Sequence, residues 1–300
     1  MSAVDSIERP APDGQARRRA AWWRALRHPG LATGMILLGL LTVVALAAPL
    51  LSPYSPIATD LVDTLAPPSH AHWLGTDAYG RDILARLIWG SRVSIEVALA
   101  VVVLSLAVGT VIGAVAGYAG GWVERVIMAI NDILLAFPGF LLALAIVAAR
   151  GSSLESVILA VAIAYTPRVA TLMRAVVLTI RPRPFIEASR AIGMTPTRIL
   201  WRHVIPNSLP PVIVVATVSA ATAILAEAGL SYLGLGVQPP TATWGNVIAD
   251  GQGYIASNPW ISLSAGLCIA LSVIALNLLG DGLRDTLDPQ MRRQTSGKLL

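Results

Sequence analysis

Residues 94–118 read SIEVALAVVVLSLAVGTVIGAVAGY, a stretch with one acidic residue and no basic one. An α-helix rises about 1.5 Å per residue, so about 20 apolar residues cross the roughly 30 Å hydrocarbon core of a bilayer. Five other stretches are predominantly apolar and long enough to do so, namely 30–51, 126–149, 154–176, 209–230 and 260–279. The sequence therefore predicts an all-α membrane protein with six transmembrane helices.

The composition of the whole chain supports this prediction. Of its 300 residues, 55% are hydrophobic and 13% are charged, and the mean hydropathy is +0.68, values that are not typical of a soluble domain. The single cysteine, Cys268, lies in the last predicted span, so no intrachain disulfide is possible. We expect a multi-pass membrane protein that holds no metal.

The orientation follows from the positive charges, because cytoplasmic loops hold an excess of Lys and Arg. With the N-terminus inside, 17 of the 22 Lys and Arg residues fall on the cytoplasmic side, four on the outer side and Arg168 within a span. We therefore expect cytoplasmic tails at 1–29 and 284–300 and a transmembrane domain at 30–283, with outer loops at 52–93 and 231–259. The net charge of +5 follows from this topology and requires no nucleic-acid partner.

Two local patterns refine this picture. In the first outer loop, the apolar spacing of residues 83–88 predicts a short interfacial helix. In the second span, Gly109, Gly113 and Gly117 form two overlapping Gly-x-x-x-Gly units, which let another helix approach closely. Such a seam is either ordinary tight packing or a surface that slides during gating, and the sequence leaves both interpretations open.

Three ionisable residues that fall inside predicted spans are candidate functional groups: Asp132, Arg168 and Glu227. Charged groups at membrane depth are costly, so they usually face a cavity or each other. Because Asp132 and Arg168 lie near the cytoplasmic ends of their predicted spans, we expect interfacial pairing. A role in lining a substrate path stays open. Pro138 is expected to interrupt the third span.

The fourth and fifth spans are joined by a charged cytoplasmic loop, 179–207, which prolines and a glycine divide into short helices. A first helix is predicted over 185–192, after which Gly193 can take the left-handed conformation of a helix C-cap. Thr195 caps a second helix that begins at Pro196, continues to residue 204 and is expected to be broken by Pro206. Asn207 and Ser208 are then expected to cap the fifth span.

Two short helices with an enforced bend form a rigid unit rather than a tether. Its mixed polar and apolar surface suits a reversible protein interface. Local physics alone also allows a structured loop that binds no partner.

The loop resembles a known signature. Glu187-Ala188-Ser189, Gly193 and Ile205-Pro206 are similar to the Glu-Ala-Ala, Gly and Leu-Pro residues in the coupling loop of ABC importer permeases. Ser and Ile are conservative departures, and Arg202-His203 resembles the peptide-importer branch. Other segments resemble the same branch: 74–77 (LGTD), 80–82 (GRD), 136–138 (AFP), 230–236 (LSYLGLG) and 277–285 (NLLGDGLRD).

From these motifs the chain is identified as a permease subunit of a dipeptide, oligopeptide, nickel or glutathione type ABC importer, the second of the two permeases that such systems encode. The resemblance implies a bacterial plasma (inner) membrane location, a second homologous permease, an extracytoplasmic substrate-binding protein and two cytosolic ATPases that bind ATP and Mg. It also implies a set of ATPase-coupling residues: Glu187, Ala188, Ser189, Arg190, Gly193, Thr195, Pro196, Arg202, His203, Ile205 and Pro206.

Two alternatives were weighed against this interpretation. An ion-coupled secondary transporter typically has internal repeats and midplane binding groups, whereas no repeat is evident and the polar residues are predicted near span ends. An intramembrane aspartyl protease could use Asp132 and Asp281, but the Gly-x-Gly-Asp context is missing because Leu278 occupies the first glycine position. The only lysine, Lys298, is followed by Leu299, so a Gly-Lys-Ser/Thr phosphate loop is absent and we expect no enzymatic activity.

Overall fold

The computed structural model describes residues 29–287, so nearly all of the two predicted tails lies outside the described residues. Within this range the chain is helical, apart from loops and an isolated bridge between Thr76 and Asp82. The helices are α1 (Pro29–Leu46), α2 (Ala48–Leu51), α3 (Ile83–Ala119), α4 (Gly121–Ala136), α5 (Gly139–Arg150), α6 (Leu154–Ile180), α7 (Pro184–Ala191), α8 (Pro196–Ile199), α9 (Ile205–Tyr232), α10 (Trp244–Gly251) and α11 (Trp260–Leu287).

Among the described residues, five helical segments are apolar and long enough to cross a membrane by themselves. These are α1, α3, α6, α11 and the continuous segment Pro196–Tyr232, which contains α8 and α9. The predicted third span, 126–149, consists of α4 and α5, which are bent by 88° relative to each other. Phe137 and Pro138 are extended at this break, where proline lacks the N–H that would continue the helix. The expected interruption is present, and α4 and α5 together give the sixth span if the bent pair crosses the membrane as one.

The predicted short interfacial helix at residues 83–88 is also wrong as a separate element, because these residues are the first turns of α3. Asp82 caps α3 by accepting a hydrogen bond from the Ala85 backbone N–H at 2.6 Å. Ile83 and Leu87 are buried, and the Trp244 indole donates to the Leu87 carbonyl at 3.0 Å. Their apolar spacing therefore serves contact with α10 rather than a membrane surface.

The glycine seam of α3 lies against α6. A Cβ added at Gly109 would come within 2.7 Å of the Val169 Cβ, and one added at Gly113 within 2.8 Å of the Met173 Cβ. Real Cβ atoms do not approach this closely, so side chains at these positions would push the two helices apart. The structure thus places the three glycines at a tight helix contact. Whether the seam slides during gating stays a prediction.

Candidate functional site

The first helix of the loop, α7, ends in a hydrogen-bonded glycine cap. The Gly193 N–H bonds to the Arg190 carbonyl at 3.0 Å, and the Met194 N–H bonds to the Ser189 carbonyl at 3.1 Å. Gly193 has φ of +79°, the left-handed conformation that this pair of bonds requires. The bend between α7 and α8 is therefore fixed by backbone geometry.

The second helix starts as the sequence predicts but does not stop at Pro206. The Thr195 side chain accepts from the Arg198 N–H, with Pro196 in the first turn. After α8 the chain passes through a π-helical turn, Leu200–Val204, and continues into α9. The prediction of a break is wrong because this turn, in which the Ile205 N–H bonds to the Leu200 carbonyl, widens the helix just before the proline.

The residues expected to cap the fifth span bond backwards instead. The Asn207 side-chain amide donates to the His203 carbonyl at 2.6 Å, and the Ser208 hydroxyl donates to the Val204 carbonyl at 2.8 Å. Both side chains therefore bond to backbone carbonyls one turn earlier in the same continuous helix. The prediction of a helix start at Asn207 and Ser208 is therefore wrong, and the loop is rigidly continuous with α9.

One face of the loop packs into the protein. Ile186, Ile199 and Val204 are buried in an apolar cluster that includes Met173 and Val177 of α6. Arg190 adds a cation–π contact, with its guanidinium carbon 5.7 Å from the centroid of the Tyr118 ring. The loop is therefore packed firmly against α6 and the end of α3.

The opposite face is exposed and of mixed character. We define the outward face of the loop by the side chains of Glu187, Ala188, Ala191, Ile192 and Trp201, all of them exposed. Ile192 is 78% exposed and Trp201 is 55% exposed, which is unusual for large apolar side chains in an anchored loop. A surface of mixed polar and apolar character suits a reversible protein contact.

The predicted coupling residues are divided between the packed face and the exposed face of the loop. Ser189 and Ile205 are buried, and the Ser189 hydroxyl donates to the Phe185 carbonyl at 2.7 Å. Arg202 and Pro206 are exposed and His203 is half-buried. Ile192 and Trp201 are not among the predicted coupling residues, and no local pattern distinguishes them, since the loop also contains Phe185, Ile186, Ile199 and Leu200.

The three candidate intramembrane residues do not form a common site. Glu227 is fully buried where α9 meets α10, and its carboxylate accepts from the Ser231 hydroxyl at 2.7 Å. Asp132 and Arg168 are exposed, and within residues 29–287 neither forms an ion pair. The expected interfacial pairing is therefore not found among residues 29–287.

Helix α6 extends beyond the predicted end of the fourth span. Because α6 continues to Ile180, Arg168 lies 12 residues, or about 18 Å, from the end that leads into the loop. This distance places it close to the middle of the helix.

The 74–82 segment forms a buried charge cluster at the opposite end of the molecule from the loop. Asp77 accepts from Arg81 Nε at 2.7 Å and from Arg86 Nη1 at 2.6 Å. Asp250, at the end of α10, accepts from Arg81 Nη2 and Arg86 Nη1, each at 2.8 Å. These four side chains fasten the segment before α3 to α10.

A polytopic helical domain with an anchored two-helix loop that presents an exposed mixed surface is the architecture of an ABC importer permease. The fold is similar to that of a chain in structures of the MetNI methionine ABC transporter in inward-facing conformations. In one comparison the TM-score is 0.57 at 21% identity, covering 68% of this chain and 97% of that chain. This likeness concerns the fold.

Sequence comparisons identify the family. Residues 109–293 match the family of binding-protein-dependent transport system inner membrane components, and residues 17–68 match the N-terminal transmembrane domain of oligopeptide transport permease C. The chain belongs to this family of ABC importer permeases, and it is a multi-pass inner-membrane protein. Family membership implies cytosolic ATPase partners and confirms the resemblance noted in the sequence.

Relatives align with nearly the whole chain, and all of those compared are transport permeases. The dipeptide transport system permease DppC of Alkalihalophilus pseudofirmus is 42% identical, covering 94% of both chains. The glutathione transport system permease GsiD of Pectobacterium atrosepticum is 41% identical, covering 91% of both chains. The di/tripeptide transport system permease DppC of Pseudomonas aeruginosa is 42% identical, covering 90% of this chain and 92% of its own.

Proposed function

We propose that this chain is one of the two permease subunits of an importer for di- and oligopeptides or glutathione, and that it forms half of the translocation pathway. The observation that carries the proposal is the agreement of relatives at 40–43% identity whose names specify dipeptides, di/tripeptides, peptides and glutathione. These solutes share a small size, a peptide backbone and charged ends. The names of these relatives do not include nickel, which the sequence resemblance also allowed.

The proposed partners are a second homologous permease, two cytosolic ATPases and an extracytoplasmic binding protein. The ATPases bind ATP and Mg, since this chain has a single lysine, outside any phosphate-binding motif. Their contact on this chain is the outward face of the loop, which includes Glu187 and Ile192. In this proposal the predicted residues couple the ATPases to the permease through this contact.

Force applied to the outward face would reach the membrane helices through packed side chains. Ile186 on α7 is buried against the same cluster as Met173 and Val177 on α6, and the π-helical turn joins α8 directly to α9. A push on α7 therefore displaces the ends of α6 and α9 together. Closure of the ATPases on ATP would in this way switch the permease pair from inward-facing to outward-facing.

Reconstitution tests the proposed function. Proteoliposomes that contain this chain, its companion permease, the ATPases and the binding protein should accumulate labelled L-alanyl-L-alanine or reduced glutathione when ATP is supplied. Omission of this chain should reduce uptake to the level without ATP, because half of the pathway is missing. ATP-driven uptake of both probes without this chain, or uptake of neither by the complete system, would contradict the proposal.

The proposed orientation keeps both termini in the cytoplasm, with the tails and loops bounded as the sequence predicts. Ser257, exposed in the outer loop, can be replaced by cysteine in a Cys268→Ala background. An impermeant thiol reagent should label this cysteine in intact cells, and should label Ala191→Cys on the outward face only after permeabilisation. The reverse pattern would overturn the orientation.

A further inference from the structure

Two opposite charges lie exposed near the break in the membrane domain. Asp132 is in the last turn but one of α4, just before the 88° bend, and Arg168 is near the middle of α6. A single Asp or Arg at the centre of a lipid-facing helix costs about 2.5–3.5 kcal/mol on insertion scales. Their exposure without an ion pair among the described residues therefore indicates surroundings other than lipid.

The contacts between α4 and α6 define how the two helices lie side by side. The Arg174 side chain donates to Glu124 at 2.6 Å, and the Asn131 amide donates to the Thr171 hydroxyl at 3.0 Å. Residue numbers rise along α4 as they fall along α6, so the helices are antiparallel. Asn131 and Thr171 mark the faces by which they touch.

Helical rotation then places both charges on one side of this pair. Each residue turns the side-chain direction by about 100°. Asp132 is one residue beyond Asn131, a rotation of about 100°. Because α6 is antiparallel to α4, the same direction in space runs towards lower residue numbers in α6. Arg168 then lies three residues beyond Thr171, a rotation of about 300°, which equals about 60° in the opposite sense. Because the two helices face each other, opposite senses of rotation lead to the same side.

Asp132 and Arg168 are exposed on this side, and α5 begins one turn from Arg168, where a Cβ added at Gly139 would lie 3.7 Å from Tyr165 Cε1. Helix α3 packs against α6 through Val169 and Met173, which are about 100° and 140° around α6 from Arg168. The apolar groove between α3, α4 and α6, lined in part by Ile130, lies on the far side of α4 from Asp132. The side that carries Asp132 and Arg168 is thus distinct from the packed core and from this groove.

We propose that Asp132 and Arg168 line the aqueous path through the transporter and present one negative and one positive group to the charged ends of a zwitterionic solute. This inference rests on the proposed function, since small peptides carry an ammonium and a carboxylate. The broken helix beside the two charges supports it, because discontinuous helices form midplane solute sites in other transporters. Opposite charges on one side would recognise both ends of a peptide without selecting its side chains.

Thiol labelling tests the proposal without a transported solute, so its failure is distinguishable from failure of the proposed function. Arg168→Cys and Asp132→Cys are made separately in a Cys268→Ala background, and the full transporter is assayed in open membrane fragments with and without ATP. The probes are the cationic trimethylammonium-ethyl and the anionic sulfonatoethyl methanethiosulfonates. Ile130→Cys is the matched control, since Ile130 is exposed on the same helix about 200° from Asp132.

Both cysteines should react at least tenfold faster than the control in one of the two nucleotide states. The cysteine at position 168 should prefer the cationic reagent because Asp132 remains, and an added Asp132→Asn should abolish that preference. The cysteine at position 132 should prefer the anionic reagent, and it carries the same test if Arg168→Cys does not assemble. If neither cysteine reacts faster than the cysteine at position 130, the proposal is overturned. This is the result expected if the two positions face lipid or a buried contact with the companion permease. Absence of charge preference also overturns the proposal.

Discussion

Asp77→Asn is expected to destabilise the end of the protein opposite the loop by about 3–5 kcal/mol, because it leaves two arginines with one carboxylate in a buried site. The Asp77 side chain is 1% exposed and that of Arg86 is 2% exposed, so water cannot replace the lost charge. An asparagine keeps one acceptor oxygen for the Tyr79 and Arg81 backbone N–H groups, which restricts the effect to the ion pairs. The apparent unfolding temperature of the purified complex and its abundance in membranes measure the loss.

Two related variants make this expectation specific. Asp250→Asn should cost less, since Asp250 is 27% exposed and water can partly solvate the arginines near it. Asp63→Asn should cost almost nothing, because Asp63 is exposed in the same outer segment and its carboxylate is outside the cluster. Equal stability of Asp77→Asn and Asp63→Asn would show that the cluster does not hold the outer segment.

The parts of this fold that could be predicted from sequence are those fixed locally. Five long apolar stretches sufficed for five spans, because bilayer thickness sets helix length. The bend at Gly193 and the cap at Thr195 were also predictable, since each depends on a few neighbouring residues with special backbone preferences.

The predictions that failed depend on contacts distant in the chain or on helix geometry that residue type does not fix. Arg81 pairs with Asp250 across 169 residues, a contact that no local pattern signals. Pro206 is accommodated by a π-helical turn, which the usual rule of helix breaking does not anticipate. The fourth span was predicted to end at 176, whereas α6 runs four residues further, to Ile180.

Gly193→Val is expected to uncouple the transporter while leaving the membrane domain folded. The φ of +79° strains a β-branched residue by about 1–3 kcal/mol. A Cβ at Gly193 would meet no atom within 4 Å, so the effect comes from the backbone alone. Gly193→Asn is the matched control, because asparagine tolerates this conformation. The valine variant should lower ATPase association and solute-stimulated ATP hydrolysis at least tenfold, and the asparagine variant should retain most of both.

Glu187 offers the sharpest test of whether the outward face of the loop receives the ATPases. Its exposed side chain makes no contact that holds the loop together. The rate of ATP hydrolysis by the assembled complex is measured in the presence of solute-loaded binding protein, for Glu187→Arg and for Glu155→Arg. Glu155→Arg is the control, because it reverses an exposed charge elsewhere, in the first turn of α6. Both variants should reach normal abundance in the membrane. Glu155→Arg should retain near-wild-type hydrolysis, whereas Glu187→Arg should lose both stimulated hydrolysis and co-purification with the ATPases. Wild-type association and stimulated hydrolysis in Glu187→Arg would contradict the proposal.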